Sequence, residues 1–275
     1  MLEEIFGTRK PILGVVHLLP LPGSPRWDGQ VETICLRGEQ EAVALASGGV
    51  DGIIVENFFD APFTKERIDA ATISAFALAV KRIMSLCELP IGINCLRNDG
   101  LSALAIAATT GAQFIRVNVF TGAVVADQGI IEGQARELLL YRRSLMAQKR
   151  IKIFADIMVK HAAQLGTGSD IRLIAKDTFE RGLADALIVS GVATGSAPND
   201  RELKEVKQAV PDCPVLAGSG CSKDNIEGIL GVVDGVIVAS SLKREGVLEN
   251  PIDVDRVRAL VKAARAGGHQ LSPVD

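Results

Sequence analysis

The chain has 275 residues, of which 48% are hydrophobic and only 4% aromatic, and its formal net charge is −3. That length allows one large α/β domain or two small ones, with a core built mainly of Ala, Val, Ile and Leu, residues that suit parallel strands covered by helices. The mild acidity argues against a nucleic-acid binder working by bulk electrostatics, and no apolar run approaches the roughly 20 residues that a bilayer span requires.

The first residues, MLEEIFGTRKPILG, open on acids and have a short apolar stretch broken by proline, so they do not read as a signal peptide. Residues 1–11 read as a lead-in ending at Pro11. Ile12 to Val16 is the first apolar run; it closes on His17 and is followed by a loop stiffened by Pro20, Pro22 and Pro25. A helix from about Val31 to Ser47 stops at Gly48-Gly49. Asp51 to Val55 is the second strand, closing on Glu56-Asn57. After the FFDAPF loop comes a helix from about Lys65 to Leu86. Pro90 to Ile93 is the third strand, closing on Asn94, with Arg97-Asn98-Asp99 as a structured turn or cap before an Ala-rich helix over 101–110.

Gln113 to Val117 is the fourth strand, carrying Arg116 and Asn118 at its end. A loop, FTGAVVADQGIIEG, and a helix from about Gln134 to Gln148 follow. Ile151 to Ala155 is the fifth strand, closing on Asp156, with Lys160-His161 beyond it and a helix from about Ser169 to Arg181. Ala186 to Val189, closing on Ser190-Gly191, is the sixth, and a helix from about Asp200 to Val210 comes next. The seventh runs over Pro214–Ala217 into Gly218-Ser219-Gly220, with a short helix starting near Ser222. The eighth, Gly235–Ala239, ends in Ser240-Ser241. Asp253 to Ala264 is the last helix, and 267–275 a loose tail.

Strict β–α alternation forces a parallel sheet, and eight units over residues 12–266 match a single-domain (β/α)₈ TIM barrel. The alternative, a doubly wound open sheet, would carry an early GxGxxG turn, and none is present. The active site of such a barrel lies at the C-terminal strand ends. Asp156 is the leading candidate for a general base or a metal-binding carboxylate, against an ion pair with Lys160 or Arg116. His17 is a candidate acid/base or ligand contact, and His161 a proton relay. Glu56 joins them as a catalytic carboxylate. Glu56 and Asp156, with Asn57 or Asn94, are the oxygens that would hold a divalent cation. No metal spacing is present, so neither metal nor cofactor is expected. Asn94, Arg116, Asn118 and Ser190 are further ligand contacts, Arg116 being suited to a carboxylate or phosphate. Gly218, Ser219, Gly220, Ser240 and Ser241 form Gly/Ser turns after the seventh and eighth strands, where a barrel holds phosphate.

Five cysteines, Cys35, Cys87, Cys95, Cys213 and Cys221, form no CxxC pair. Neither disulfides nor a zinc site is expected, and a reducing compartment is the default. Cys221, at a helix start, is the thiol whose surroundings would make it reactive. Trp27, Phe58 and Phe59 belong to loops at the same rim, as a lid, a docking patch or a seal over the barrel mouth. These residues point to an enzyme or sensor for a phosphorylated or nucleotide-like small molecule.

The segments GVVHLLPLPGSPRW (14–27), GGVDGIIVENFFDAPF (48–63), LRND (96–99), FIRVNVFTG (114–122), DQGIIEGQARELLLYRR (127–143), ADIMVKHAAQLG (155–166), RGLADALIVSGVATGSAPN (181–199) and GVIVASSLKREGVLENPID (235–253) resemble the BtpA family nearly end to end. ENFFDAPF has the wording of its cyanobacterial branch. The resemblance implies a barrel and a photosystem I biogenesis factor that supports accumulation and stability of the photosystem I reaction-centre proteins. Those proteins or their assembly machinery would then be partners. It also implies peripheral attachment to the cytoplasmic side of the thylakoid membrane, through a protein partner or a weak surface patch, since no transmembrane or lipidation signal is present. The family reaches archaea and non-photosynthetic bacteria, which implies an ancestral small-molecule activity. It supplies no catalytic motif, so the candidate residues rest on strand-end position. Cys221-Ser222 after the glycine turn departs from the family pattern, which argues against an essential thiol. A homo-oligomer is compatible with a barrel, but the sequence presents no interface.

Overall fold

Short runs of β-branched and aliphatic residues, each buried on both faces, form the strands. β1 (Ile12–His17), β2 (Gly52–Glu56), β3 (Ile91–Asn94), β4 (Phe114–Val117), β7 (Lys152–Ile157), β9 (Ala186–Val189), β10 (Val215–Ala217) and β11 (Gly235–Val238) pair in parallel and close on themselves in that order. The computed structural model describes residues 1–158, 161–166, 170–191 and 199–266. Between the strands run α2 (Val31–Gly48), α3 (Ala70–Met84), α4 (Gly100–Thr110), α5 (Ala135–Ser144), α6 (Ile171–Lys176), α7 (Asp200–Ala209) and α8 (Ile226–Leu230), and α9 (Val254–Ala266) follows β11. The larger core lies between the outer faces of the strands and these helices.

The barrel interior has two levels. At the N-terminal end Leu13, Val15, Ile54, Phe114, Phe154, Ile188, Leu216 and Ile237 form an apolar plug. Residues two positions further along the same strands continue the same inward face, because side chains alternate along a strand. Those positions are His17, Glu56, Arg116, Asp156, Ser190 and Gly218, so the inward face turns from apolar to polar as it approaches the mouth.

Residues 1–11 do more than lead in. α1 (Leu2–Phe6) turns Phe6 up into the barrel, where its ring meets Phe114 edge-on at 5.5 Å and Phe154 at 6.4 Å. The loop expected after β4 is instead a hairpin, β5 (Ala123–Ala126) and β6 (Gly129–Glu132), joined by Asp127-Gln128. It is extended by β8 (Ala162–Gln164) into an antiparallel three-stranded sheet closed over Val119, Val124 and Ile131. α3 starts later than expected because Asp69 caps it, accepting from the Ala71 and Thr72 amides. α6 starts at Ile171, capped by Asp170, and runs on as a π-helical turn over Asp177–Arg181. α8 begins at Ile226 rather than near Ser222, because Asn225 Oδ1 accepts from the Ser222 amide and Asn225 Nδ2 donates to Gly220 O, holding the segment as a turn. Lys160, Ser169, His269 and the tail lie outside the described residues.

Candidate functional site

The ends of β1, β2 and β3 are in register, His17 beside Glu56 and Glu56 beside Asn94. This places an imidazole, a carboxylate and an amide at one level of the mouth, all buried. They line a cavity of about 280 Å³. Arg116, Asn118, Gly218, Ser219, Gly220 and Ser240 complete its polar wall, and Phe58, Phe59 and Phe63 its apolar one, with His161 also on the lining.

Arg116 organises the floor. Its Nε and Nη2 donate to Asp156 Oδ2 and Oδ1 at 2.9 and 3.0 Å, and its Nη1 donates to Glu56 Oε1 at 3.3 Å. Burial opposes the charge on this guanidinium, but the Asp156 and Glu56 carboxylates more than offset it and hold Arg116 above the usual arginine range. Asp156 accepts in addition from Asn118 Nδ2 at 2.7 Å and Ser190 Oγ at 3.5 Å.

This displaces the leading expectation for Asp156 in favour of its alternative, the ion pair with Arg116. Its side chain is fully buried, it is absent from the cavity wall, and both oxygens are committed, so it anchors Arg116 and is not poised to take a proton from a ligand. The same geometry removes the candidate cation site. The positive charge between Glu56 and Asp156 is the guanidinium itself, and Asn57 is spent on Asp60 Oδ2 and on the Leu96 amide and carbonyl. Among the described residues no three His, Cys, Asp or Glu side chains gather as a metal-binding group.

Glu56 and His17 are the pair left facing the ligand space. Glu56 Oε1 accepts from Asn94 Nδ2 at 2.9 Å and from Arg116, while Glu56 Oε2 lies 3.8 Å from His17 Nε2. The His17 ring is stacked on Phe58 at 4.5 Å, with Phe59 edge-on at 6.0 Å. An imidazole fixed by aromatic packing and backed by a carboxylate can hold or pass a proton at the cavity wall. The two phenylalanines are therefore part of the wall, whereas Trp27 is exposed and does not line the cavity. His161 is exposed, at φ 54°, on the small sheet's edge of the mouth.

The Gly/Ser turns are assembled beside His17, because β11 pairs with β1, with one change. The Gly218 amide donates to Val189 O at 2.7 Å, so it is not an open donor for an anion. Gly218 is needed for space: a Cβ there would lie 2.4 Å from Ser190 Oγ and 2.5 Å from Ile188 Cγ2. Gly220, at φ +67°, supplies the left-handed turn that brings the backbone to the cavity. Ser219 Oγ accepts from the Gly191 amide at 2.9 Å, and Ser241 Oγ donates to Cys221 O at 2.7 Å. These two hydroxyls tie neighbouring loops together, and Ser240 is the serine of the β11 end on the cavity wall. Ser190, like Asp156, stands behind the wall. Cys221 lies on the wall, buried, with its thiol directed to Ser219 O at 3.7 Å.

Sequence reasoning missed Arg97, which it assigned to a turn. Asn98 and Asp99 do serve the turn: Asn98 bridges the Val119 amide and carbonyl, and Asp99 caps α4. Arg97 instead lines the cavity, buried, and burial lowers its pKa even though Asp156 and Asp127 lie near enough to oppose the shift. The signal available in the sequence was an arginine directly after an apolar pair, Cys95-Leu96, at a barrel strand end.

The fold and the chain both have relatives. (S)-3-O-geranylgeranylglyceryl phosphate synthase from Thermoplasma acidophilum, solved with sn-glycerol-1-phosphate, superposes with a TM-score of 0.59 over 96% of this chain and 97% of that one, at 14% identity, a likeness of fold. An uncharacterized protein from Thermococcus kodakarensis is 45% identical over 94% of this chain and 96% of its own length. The photosystem I biogenesis protein BtpA of Synechocystis is 54% identical over 97% of this chain and 92% of its own length. A model of the BtpA family matches residues 8–266, so the cavity and every strand around it lie inside the match, and the chain belongs to the BtpA family.

Proposed function

We propose that the barrel mouth binds a phosphorylated small molecule and acts on it, or senses it, with His17 and Glu56 as the proton-handling pair. The observation that carries this is the meeting of that pair and the Gly220/Ser240 turns in one cavity above the Arg116–Asp156 floor. In such a barrel the backbone after the seventh and eighth strands is where a phosphate is held. The test is a thermal-shift and calorimetric panel of phosphate esters, each paired with its dephosphorylated form. A ligand at about a hundred times its Kd adds about 2.7 kcal/mol of stability, which such a panel reads easily. His17→Gln should bind the same esters and lose turnover. Absence of any shift with every ester would remove this reading.

The relation to the Synechocystis protein, named for photosystem I biogenesis, favours a second reading, a role in that process; we propose for it the accumulation of photosystem I reaction-centre proteins from a peripheral position on the cytoplasmic face of the thylakoid. No helix among the described residues is long and apolar enough to cross a membrane, which is compatible with attachment through a protein partner. The two readings separate in a strain lacking the protein. Complementation by a His17→Gln, Glu56→Gln variant would restore photosystem I if the role is docking alone, and would fail if the cavity is required.

A further inference from the structure

Two amides on the cavity wall are half-used. Asn94 donates its Nδ2 to Glu56 Oε1 at 2.9 Å, and Asn118 donates its Nδ2 to Asp156 Oδ2 at 2.7 Å. A carboxylate that is ionised only accepts, so each amide is held with its NH₂ toward the acid and its carbonyl oxygen turned away. Both carbonyl oxygens are buried and have no hydrogen-bond partner among the described residues, and the two residues are 2% and 4% exposed. Buried polar atoms are ordinarily satisfied, and an unsatisfied one is costly. Here the two acceptors belong to asparagines at the ends of neighbouring strands, β3 and β4, and both residues line one cavity.

The pair selects the chemistry of what fills it. Carbonyl oxygens repel phosphate and carboxylate, so the anionic part of a ligand belongs at the Gly220/Ser240 side and not here. An ammonium group would satisfy the oxygens, but it would lie beside Arg116 and Arg97, both buried guanidinium groups. Neutral hydroxyls fit both requirements. Each rotates about its C–O bond to meet an acceptor in its own direction, whereas the N–H groups of a planar base are fixed in one plane.

Resting on the phosphate reading above, we infer that Asn94 Oδ1 and Asn118 Oδ1 form a paired acceptor subsite for hydroxyl groups of the ligand, so that the substrate class is a phosphorylated sugar or polyol. The two asparagines are thereby specificity residues, and Glu56 and Asp156 are what orient them.

The experiment measures affinities of the full chain for ribose phosphate and glycerol phosphate, each against a counterpart lacking one hydroxyl (deoxyribose phosphate and propanediol phosphate), with inorganic phosphate alone as reference. At least one hydroxylated ester should bind about tenfold or more tighter than its deoxy partner. In Asn94→Ala and Asn118→Ala that preference should fall toward one. Equal affinity of every matched pair in the unmodified protein would overturn the inference while leaving the phosphate reading intact, and it needs no variant to fold. A preference that survives both substitutions would overturn the assignment to these oxygens. If no phosphate compound binds at all, the functional reading and this inference fall together.

Discussion

Replacing Arg116 by leucine is the sharpest test of the site's construction. The guanidinium is 7% exposed and makes three hydrogen bonds, two to Asp156 and one to Glu56. Removing it leaves two buried carboxylates without the guanidinium that bridges them. Breaking a buried ion pair by deleting one partner costs about 3–5 kcal/mol, a large part of the 5–15 kcal/mol or so that stabilises a typical domain. For a chain of this size each kcal/mol moves Tm by about 2–4 °C, so Arg116→Leu should lower it by roughly 6–20 °C. Arg116→Lys should fall between, because an ammonium cannot make the bidentate contact with Asp156. Neutralising both acids as well (Glu56→Gln and Asp156→Asn with Arg116→Leu) should recover about 1–3 kcal/mol. The amides left behind are unsatisfied but uncharged. Urea denaturation of the three variants, followed by circular dichroism, reads these differences. A loss below about 1 kcal/mol for Arg116→Leu, the scale of an exposed pair, or a triple variant no more stable than the single one, would refute the account of the floor.

Two further outcomes follow from parts of the molecule outside the cavity. Phe6→Ala removes the ring that seals the barrel's N-terminal end against Phe114 and Phe154. It should cost about 3–5 kcal/mol in denaturation, and a cost under about 1 kcal/mol would mean that α1 is only a lead-in. Lys243 is fully buried and donates to Glu41 Oε1 at 2.6 Å. Burial lowers its pKa from 10.5, with Arg37 adding to the shift and Glu41 opposing it. The native state therefore sheds this proton more readily than the unfolded chain. Between the lowered native value and 10.5 the unfolded chain binds more protons, so the contribution of Lys243 to stability rises with pH across that window. The stability difference between the native sequence and Lys243→Met, measured by denaturant midpoints through the alkaline range, should grow in favour of the lysine. A flat or falling difference would refute the shift.

Much of the barrel was legible because each strand is short, apolar and closed by a polar residue. The register that joins His17, Glu56 and Asn94 follows from the same strand ends. What escaped the sequence were relations between strands. Asp156, read along β7, is either a free carboxylate or the partner of Arg116, and only the neighbouring β4, where Arg116 grips both of its oxygens, decides for the pair. Gly218 looked like an open anion donor because the sequence does not reveal that the Val189 carbonyl claims its amide. The hairpin Ala123–Glu132 carries a period-two pattern too short to separate from a loop, and its third strand, Ala162–Gln164, comes from a connection some thirty residues on. Phe6 lacks any amphipathic repeat around it, since α1 is a single turn and a half whose partners lie at the base of the barrel.

The charged layer itself bears on the choice between the two functional readings. A protein acting only through an outer docking surface has no use for a buried arginine held by two carboxylates. Apolar residues of the same volume are commonly neutral or better for stability at such positions, and the level just below, from Leu13 to Ile237, is built that way. Here the chain instead maintains Arg116, Asp156 and Glu56 in contact, and uses the acids to turn Asn94 and Asn118, two residues that line the cavity, so that an acceptor of each has no partner among the described residues. A scaffold gains no stability from that arrangement, while the hydroxyl-bearing ligand proposed above would offset its cost on arrival. The cavity is thus the more economical place to look for what the protein does.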